Sequence, residues 1–392
     1  MRILVFEYSG HPFSVQLSRE LARRGHEVFH SWSAGFQSPK GNLAVQPDDP
    51  PTFHTAPVRN RAPFAKGSFF TRRQQEIEIG RELARLCAEL RPDAIIGGNA
   101  PLDTQRLFLK AARRLGIPFV FWLQDIYSRA ISAAVPRKFP VIGHLVAAWY
   151  RHLEFSMLRQ SDHVVTITED FRPLLAARGV PPGQVTVIEN WGPLAELPLH
   201  PRDNAFTARH MPGPGLRIVY SGTLGYKHNP QLLIDLARAL PEAQVHVFSE
   251  GEVAAGLGSQ ALAEGLANLA VHPWVSIEEL ALMLSGADIF VAVIEAEAGI
   301  YSVPSKVLSY LAIGRPILAS VPPDNLAARL IASNEAGYVA APGEDSALIE
   351  RARELAANAA LRERLGDNGR AYAARAFDIR AIAERFETII RR

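Results

Sequence analysis

The chain has 392 residues, 48% of them hydrophobic and 21% charged, enough apolar side chain for two ordinary α/β domains and too much for disorder. The formal net charge is +2, which argues against nucleic acid as the main partner. One cysteine, Cys87, excludes a disulfide framework or a zinc-thiolate cluster and suits a reducing, cytoplasmic setting.

The apolar run at residues 3–6 is short and breaks into a loop, so it reads as a first strand and not as a signal peptide. An amphipathic helix follows over 14–24, then a strand over 27–31. Later come a helix over 76–90 with Cys87 on its core side, a strand over 94–97 and a helix over 104–115. A strand over 118–123, a long helix over 141–159 and a strand over 163–166 complete the first half. Strands alternating with helices of this length mean βαβ units and a mostly parallel sheet. Residues 193–214 are rich in proline and polar side chains and lack periodicity, which marks a linker.

The second half restarts the alternation. Strands are expected over 217–221, 245–248, 271–275, 289–294, 316–319 and 337–341, and helices over 230–240, 277–284, 305–312, 327–333 and 346–357. The domains are therefore expected at 1–195 and 196–375, with a terminal segment at 376–392. Two doubly wound domains in tandem predict an interdomain cleft, with ligands beyond the carboxyl ends of the strands.

Two loops of the second half carry anion-binding chemistry. In Ser221-Gly222-Thr223-Leu224-Gly225-Tyr226-Lys227, glycines after a strand admit close backbone approach and Lys227 adds charge. The other reading is a plain βα loop. In the run from Glu295 to Lys306, Glu297 follows a strand and Gly299 permits an unusual turn. Pro304 and Ser305 start a helix whose free N–H groups, with Lys306, suit a pyrophosphate. Glu250, Gly299, Ile300, Tyr301, Ser302 and Ser305 join the expected ligand contacts of this half. Trp274, with backbone at Val275, either lines a nucleobase pocket or packs in the core. In the first half, Gly10 and His11 follow the first strand and Gln124 and Asp125 the fourth. His11 touches substrate or is merely solvated; Asp125 accepts a substrate hydroxyl or caps its loop.

No Asp-x-Asp, HExxH or cysteine pair occurs, so no metal is expected. Two basic, aromatic stretches lie in the first half. Residues 59–73 read as either an anionic membrane contact or a solvated loop, and 137–159 as a normal amphipathic helix.

These landmarks resemble the GT-B glycosyltransferases of the family 4 type, close to those of bacterial O-antigen, capsule and colanic-acid assembly. The resemblance covers nearly the whole chain. It rests on Tyr220-Ser221-Gly222-Thr223-Leu224-Gly225-Tyr226-Lys227, on Val187-Ile188-Glu189-Asn190-Trp191, and on Ser302-Val303-Pro304-Ser305-Lys306 through Tyr310-Leu311-Ala312-Ile313-Gly314-Arg315-Pro316. It implies retaining, metal-independent transfer of a sugar from a nucleoside diphosphate to a glycan or polyprenyl-linked hydroxyl, without a cofactor. It also implies a C-terminal donor domain, an N-terminal acceptor domain and a last helix returning to the first domain. The expected location is cytoplasmic, either free or, through the basic aromatic stretches, peripheral on the inner face of the cytoplasmic membrane. Gly222 and Lys227 match the family's diphosphate contacts, and Lys227, Lys306, Asp125 and Glu297 are the expected catalytic set. The chain departs from the family at Thr223, where many members have arginine. Ser309 and Tyr301 stand where the family's paired glutamates would be. A nonhydrolysing nucleotide-sugar epimerase and a non-catalytic sugar-nucleotide-binding protein are the rival readings.

Overall fold

The computed structural model describes residues 1–36, 40–62, 69–225, 228–294 and 305–391, apart from the side chains of Phe69 and Lys138. The chain forms two compact units, Met1–Glu189 with Asp378–Arg392, and Asn190–Phe377.

In the first unit the order is β1 (Arg2–Glu7), α1 (Pro12–Arg23), β2 (Glu27–Ser31), β3 (Phe53–Thr55), α2 (Phe69–Leu90), β4 (Ala94–Gly98) and α3 (Leu102–Leu115). Then come β5 (Phe119–Leu123), α4 (Tyr127–Lys138), α5 (Gly143–Gln160), β6 (His163–Thr166), α6 (Phe171–Ala177) and β7 (Val185–Val187). The strands pair in parallel in the order β3-β2-β1-β4-β5-β6-β7. β1, β4 and β5 are central and read as nearly unbroken apolar runs because helices cover both faces. Cys87 is fully buried in α2, and burial pushes its thiol up to about 12, so it is a core side chain.

The second unit holds α7 (Ala205–His210), β8 (Leu216–Ser221), α8 (Gln231–Ala239), β9 (Ala243–Phe248), α9 (Glu252–Ala263), β10 (Leu269–His272), α10 (Ile277–Ser285) and β11 (Ile289–Val293). It continues through α11 (Ser305–Ile313), β12 (Ile317–Ser320), α12 (Leu326–Ser333), β13 (Gly337–Ala340), α13 (Asp345–Ala357) and α14 (Ala359–Ala376). The parallel sheet runs β10-β9-β8-β11-β12-β13. Helix α15 (Ile379–Ile390) packs in the first unit, where Phe386 meets Trp122 edge-on at 5.0 Å and Glu387 pairs with Arg24 at 2.7 Å.

Several expectations change. The short strand β3 makes β5 the fifth strand, so Gln124 and Asp125 follow the fifth and not the fourth. The expected helix at 141–159 is the second arm of a hairpin, α4 and α5, whose first arm contains Pro136. α2 starts seven residues early, because its first turns are polar and show no apolar stripe. The segment at 193–214 contains α7, closed by a capping box of Asn204 and Thr207. Strand β10 stops at His272, so Trp274 lies beyond it and is 44% exposed rather than packed in the core.

Candidate functional site

In the second unit the carboxyl ends of β8 and β11 lead toward the start of α11. Gly222 follows β8 with φ +126, a conformation that favours glycine, and its N–H donates to Phe248 O at 3.1 Å. A Cβ at Gly222 would lie 3.3 Å from Lys306 Cε and 3.5 Å from its Nζ. The glycine and the lysine, 84 positions apart in the chain, are therefore neighbours.

Lys306 stands in the first turn of α11, where the helix dipole favours an anion. Its ammonium lies 3.8 Å from the Tyr220 ring centre and donates to Tyr220 Oη, which donates in turn to Thr223 O at 2.9 Å. The Tyr310 ring stacks on Phe290 at 4.0 Å; its hydroxyl accepts from Ser221 N at 2.9 Å and donates to Ser221 O. Leu224 N donates to Ser249 Oγ, and Gly225 N to His228 Nδ1. Residues 221–225 are thus held by side chains from α11, from Ser249 just past β9 and from the loop itself. Ser305 and Thr223 are exposed and Ser309 half-buried.

The glycine that closes the last run of the resemblance is structural. Gly314 has φ +76, and a Cβ there would lie 3.0 Å from Arg370 Cβ and 3.2 Å from Gly366 O. Arg370 donates to Ala312 O at the end of α11. This glycine lets α14 close on α11 and so holds the helix that carries Lys306. Further along the sheet, Trp274 N donates to the exposed Glu250 carboxylate at 3.1 Å, joining two of the expected donor contacts, with Val275 next in the same loop.

Lys227, Glu297, Gly299, Ile300, Tyr301 and Ser302 lie outside the described residues.

In the first unit a polar cluster occupies the carboxyl ends of β1, β4 and β5. Glu7, the last residue of β1, is fully buried. Its carboxylate accepts from Ser9 N at 3.2 Å, His11 N at 2.8 Å and Asn99 Nδ2 at 3.3 Å, and pairs with His11 Nδ1 at 3.1 Å. Burial pushes the Glu7 carboxyl up, but the His11 charge and the donations from His11 and Ser9 pull it below the usual carboxylate value. Burial lowers His11, and the charge and hydrogen bond of Glu7, with the charge of Asp125, raise it above an ordinary histidine.

Gly10 makes the turn possible with φ +77, and Phe13 stacks on the His11 ring at 5.5 Å. Asn99, in left-handed backbone after β4, accepts from Tyr127 Oη at 3.0 Å. Tyr127 N and Ser128 N, at the start of α4, donate to the buried Glu154 of α5 at 2.9 and 3.1 Å. Burial holds Glu154 up at about 7, against the pull of these donors. Gly10, His11, Gln124 and Asp125 thus share one end of the sheet, with Gln124 buried and Asp125 exposed. Glu7, Asn99, Tyr127 and Glu154 were not expected there. A charged residue at the end of an otherwise apolar strand was the available signal for Glu7.

Among the described residues no three His, Cys, Asp or Glu side chains gather as they would around a metal ion.

The chain matches a model described as a glycosyl transferase 4-like domain over residues 11–191 and one described as glycosyl transferases group 1 over 202–372. It is 24% identical over 351 residues to WcaI of Escherichia coli, named as a colanic acid biosynthesis glycosyl transferase, spanning 80% of this chain and 82% of that protein. It is 22% identical over 271 residues to WbjE of Pseudomonas aeruginosa, named as a glycosyltransferase, spanning 68% and 66%. Its fold is similar to sucrose-phosphate synthase from Thermosynechococcus elongatus, with a TM-score of 0.75, 16% identity, and 100% and 98% of the two chains covered. It is also similar to Anabaena HepE in complex with UDP-glucose, with a TM-score of 0.73, 15% identity, and 99% and 98% covered.

Proposed function

The chain belongs to the GT-B glycosyltransferases of the family 4 type, and from that premise we propose that it moves a sugar from a nucleoside diphosphate to a glycan or polyprenyl-linked hydroxyl in bacterial surface polysaccharide assembly. The reading adds retention of the anomeric configuration and independence of a metal. The carrying observation is Lys306 seated against Gly222 and over Tyr220, at the start of a helix and the end of a strand. Charge, free N–H groups and a glycine that admits close approach are what a pyrophosphate needs. HepE, of similar fold, was solved with UDP-glucose, which favours a uridine nucleotide as the first donor to try.

In this reading the acceptor oxygen attacks the anomeric carbon on the face from which the phosphate leaves. The carbon–oxygen bond to the β-phosphate breaks, and a phosphate oxygen takes the acceptor proton. Lys306, with Lys227 assigned beside it, stabilises the charge that builds on the leaving group. Gly10, His11, Gln124 and Asp125 are assigned to the acceptor, with Glu7 holding the His11 imidazolium in place. Thr223, Glu250, Trp274, Val275, Gly299, Ile300, Tyr301, Ser302, Ser305 and Ser309 are assigned to the rest of the donor, and Glu297 to the reacting sugar.

A thermal-unfolding panel of UDP-, GDP-, dTDP- and CMP-sugars tests the donor. A true donor at about 100 times its dissociation constant stabilises the fold by about 2.7 kcal/mol. No response to any nucleotide sugar defeats the reading. An inverted product anomer, or turnover abolished by a chelator, defeats its retaining or metal-independent part.

A further inference from the structure

The bend between α4 and α5 and the first turns of α5 carry a group of outward apolar side chains. Among the described residues eleven large hydrophobic side chains are exposed, and five of them fall between positions 139 and 149: Phe139, Val141, Ile142, Leu145 and Trp149. Val141 is 87% exposed and Leu145 73%. The opposite side of α5 buries Gly143, Ala147, Tyr150 and the carboxylate of Glu154, and its second half buries Leu153, Phe155, Met157 and Leu158 in the ordinary way. At the bend and in the first turns of α5 this departs from the usual arrangement, in which the large apolar side chains of a surface helix face the core. Exposed hydrophobic residues scattered singly need no explanation, but a contiguous group of this kind marks a contact surface.

The hairpin is also held firmly. Gly143 N donates to Phe139 O at 2.7 Å, and a Cβ on Gly143 would lie 2.7 Å from Pro136 Cα, so the two arms touch at the bend. Glu154 closes the start of α4, and Tyr150 Oη donates to Asp103 at 2.7 Å. The apolar side chains are therefore presented by a fixed frame.

Charge identifies the occupant. Residues 127–153 contain Arg129, Arg137, Lys138 and Arg151 and no aspartate or glutamate. At the chain's average of 40 acids in 392 residues, a stretch of this length would carry about three. Arg129, Arg137 and Arg151 are exposed, as are His144 and His152. Aliphatic side chains and a tryptophan flanked by cations are what an anionic lipid headgroup layer accepts. A second copy of the chain fits worse, because a two-fold contact through this face would set cation against cation. No helix among the described residues is long and apolar enough to cross a membrane.

We propose that the α4–α5 hairpin seats the protein on an anionic bilayer surface, with Val141, Ile142, Leu145 and Trp149 entering the headgroup region and Arg137 and Arg151 meeting lipid phosphates. This places the membrane contact on the stretch whose sequence reads as a normal amphipathic helix.

The test is flotation of the full chain with vesicles of phosphatidylcholine alone and of equimolar phosphatidylcholine and phosphatidylglycerol, at low and high salt. The wild type floats with the anionic vesicles, and salt weakens the binding. Leu145→Asp with Trp149→Asp lowers the partition coefficient about tenfold or more, since each change removes a large apolar side chain from the interface. The unfolding temperature and nucleotide-sugar binding stay unchanged. Arg137→Glu with Arg151→Glu abolishes the preference for anionic vesicles. Equal binding to both vesicle types, or a double aspartate variant that binds like the wild type, overturns the proposal. So does a wild type that is dimeric in sedimentation while that variant is monomeric, which gives the face to a second copy.

Discussion

Replacing Glu7 by glutamine removes one negative charge and one acceptor oxygen from a site that uses both. Oε1 serves Ser9 N, His11 Nδ1 and Asn99 Nδ2, while Oε2 serves His11 N alone. The amide of Gln has one oxygen. Wherever it points, at least one buried N–H faces an NH2 group, which costs about 1–3 kcal/mol. The ion pair with His11 adds less than a fully buried pair would, because the His11 side chain is 32% exposed. A destabilisation of about 2 kcal/mol is expected.

Its pH dependence has a definite shape. Glu7 lies below its ordinary 4.5, so its contribution is present above that value and is lost as pH falls through the lower folded-state value. His11 lies above its ordinary 6.5, so its contribution is present below that value and is lost as pH rises through the higher folded-state value. The two overlap fully between pH 4.5 and 6.5. Urea unfolding of wild type and Glu7→Gln across this range should show the largest difference inside the window and a smaller one on either side. A difference below about 0.5 kcal/mol, the size of an ordinary surface substitution, would refute the account. A difference constant from acid to alkaline pH would refute the ion pair.

Three further outcomes can be measured directly. Lys306→Ala should weaken donor binding in titration calorimetry about tenfold to a hundredfold, the range of a charge-assisted hydrogen bond, with the unfolding temperature little changed. Gly222→Ala should cost about 1–2 kcal/mol of stability, because alanine tolerates its backbone poorly, and should lower donor affinity by displacing the Lys306 side chain. Glu154 titrates at about 7 in the folded state, raised from 4.5 by burial, so its contribution to stability is full below pH 4.5 and falls by roughly 3 kcal/mol as pH rises to about 7. Glu154→Gln should flatten that part of the stability profile, read by thermal unfolding at a series of pH values.

Where periodicity was strong, the sequence was a sound guide. β2 and β6 begin and end where their apolar runs do, and α5, α8, α10 and α13 match their amphipathic patterns to within two residues. Elements without such a pattern were missed. β3 is three residues long, α9 is built largely of alanine and glycine, and α14 has only Leu365, Gly366, Gly369 and Ala373 buried. Small side chains give no apolar stripe to read, although they pack closely once a partner helix is present.

The candidate site divides in the same way. Local sequence is enough to mark Gly222, Ser305 and Lys306 as residues suited to an anion, because a glycine after a strand and a lysine in a first helical turn carry their physics with them. Their adjacency, 84 positions apart, depends on β8 and β11 pairing side by side, and nothing local in the sequence assigns the loop's holding to Tyr220 and Tyr310. Glu7 is the sharper case. The chain alone shows an acid at the end of a strand. It does not show Asn99, just past β4, donating to it across 92 positions, nor Tyr127 beyond Asn99, nor Glu154 closing the helix that Tyr127 begins. Helix and strand follow from interactions within a few residues, so the alternation of elements was determined by sequence. The charge state of a buried carboxylate and the outward placement of the apolar side chains at 139–149 depend on neighbours that only the closed sheet and its packed helices bring together, so the tertiary structure decided them.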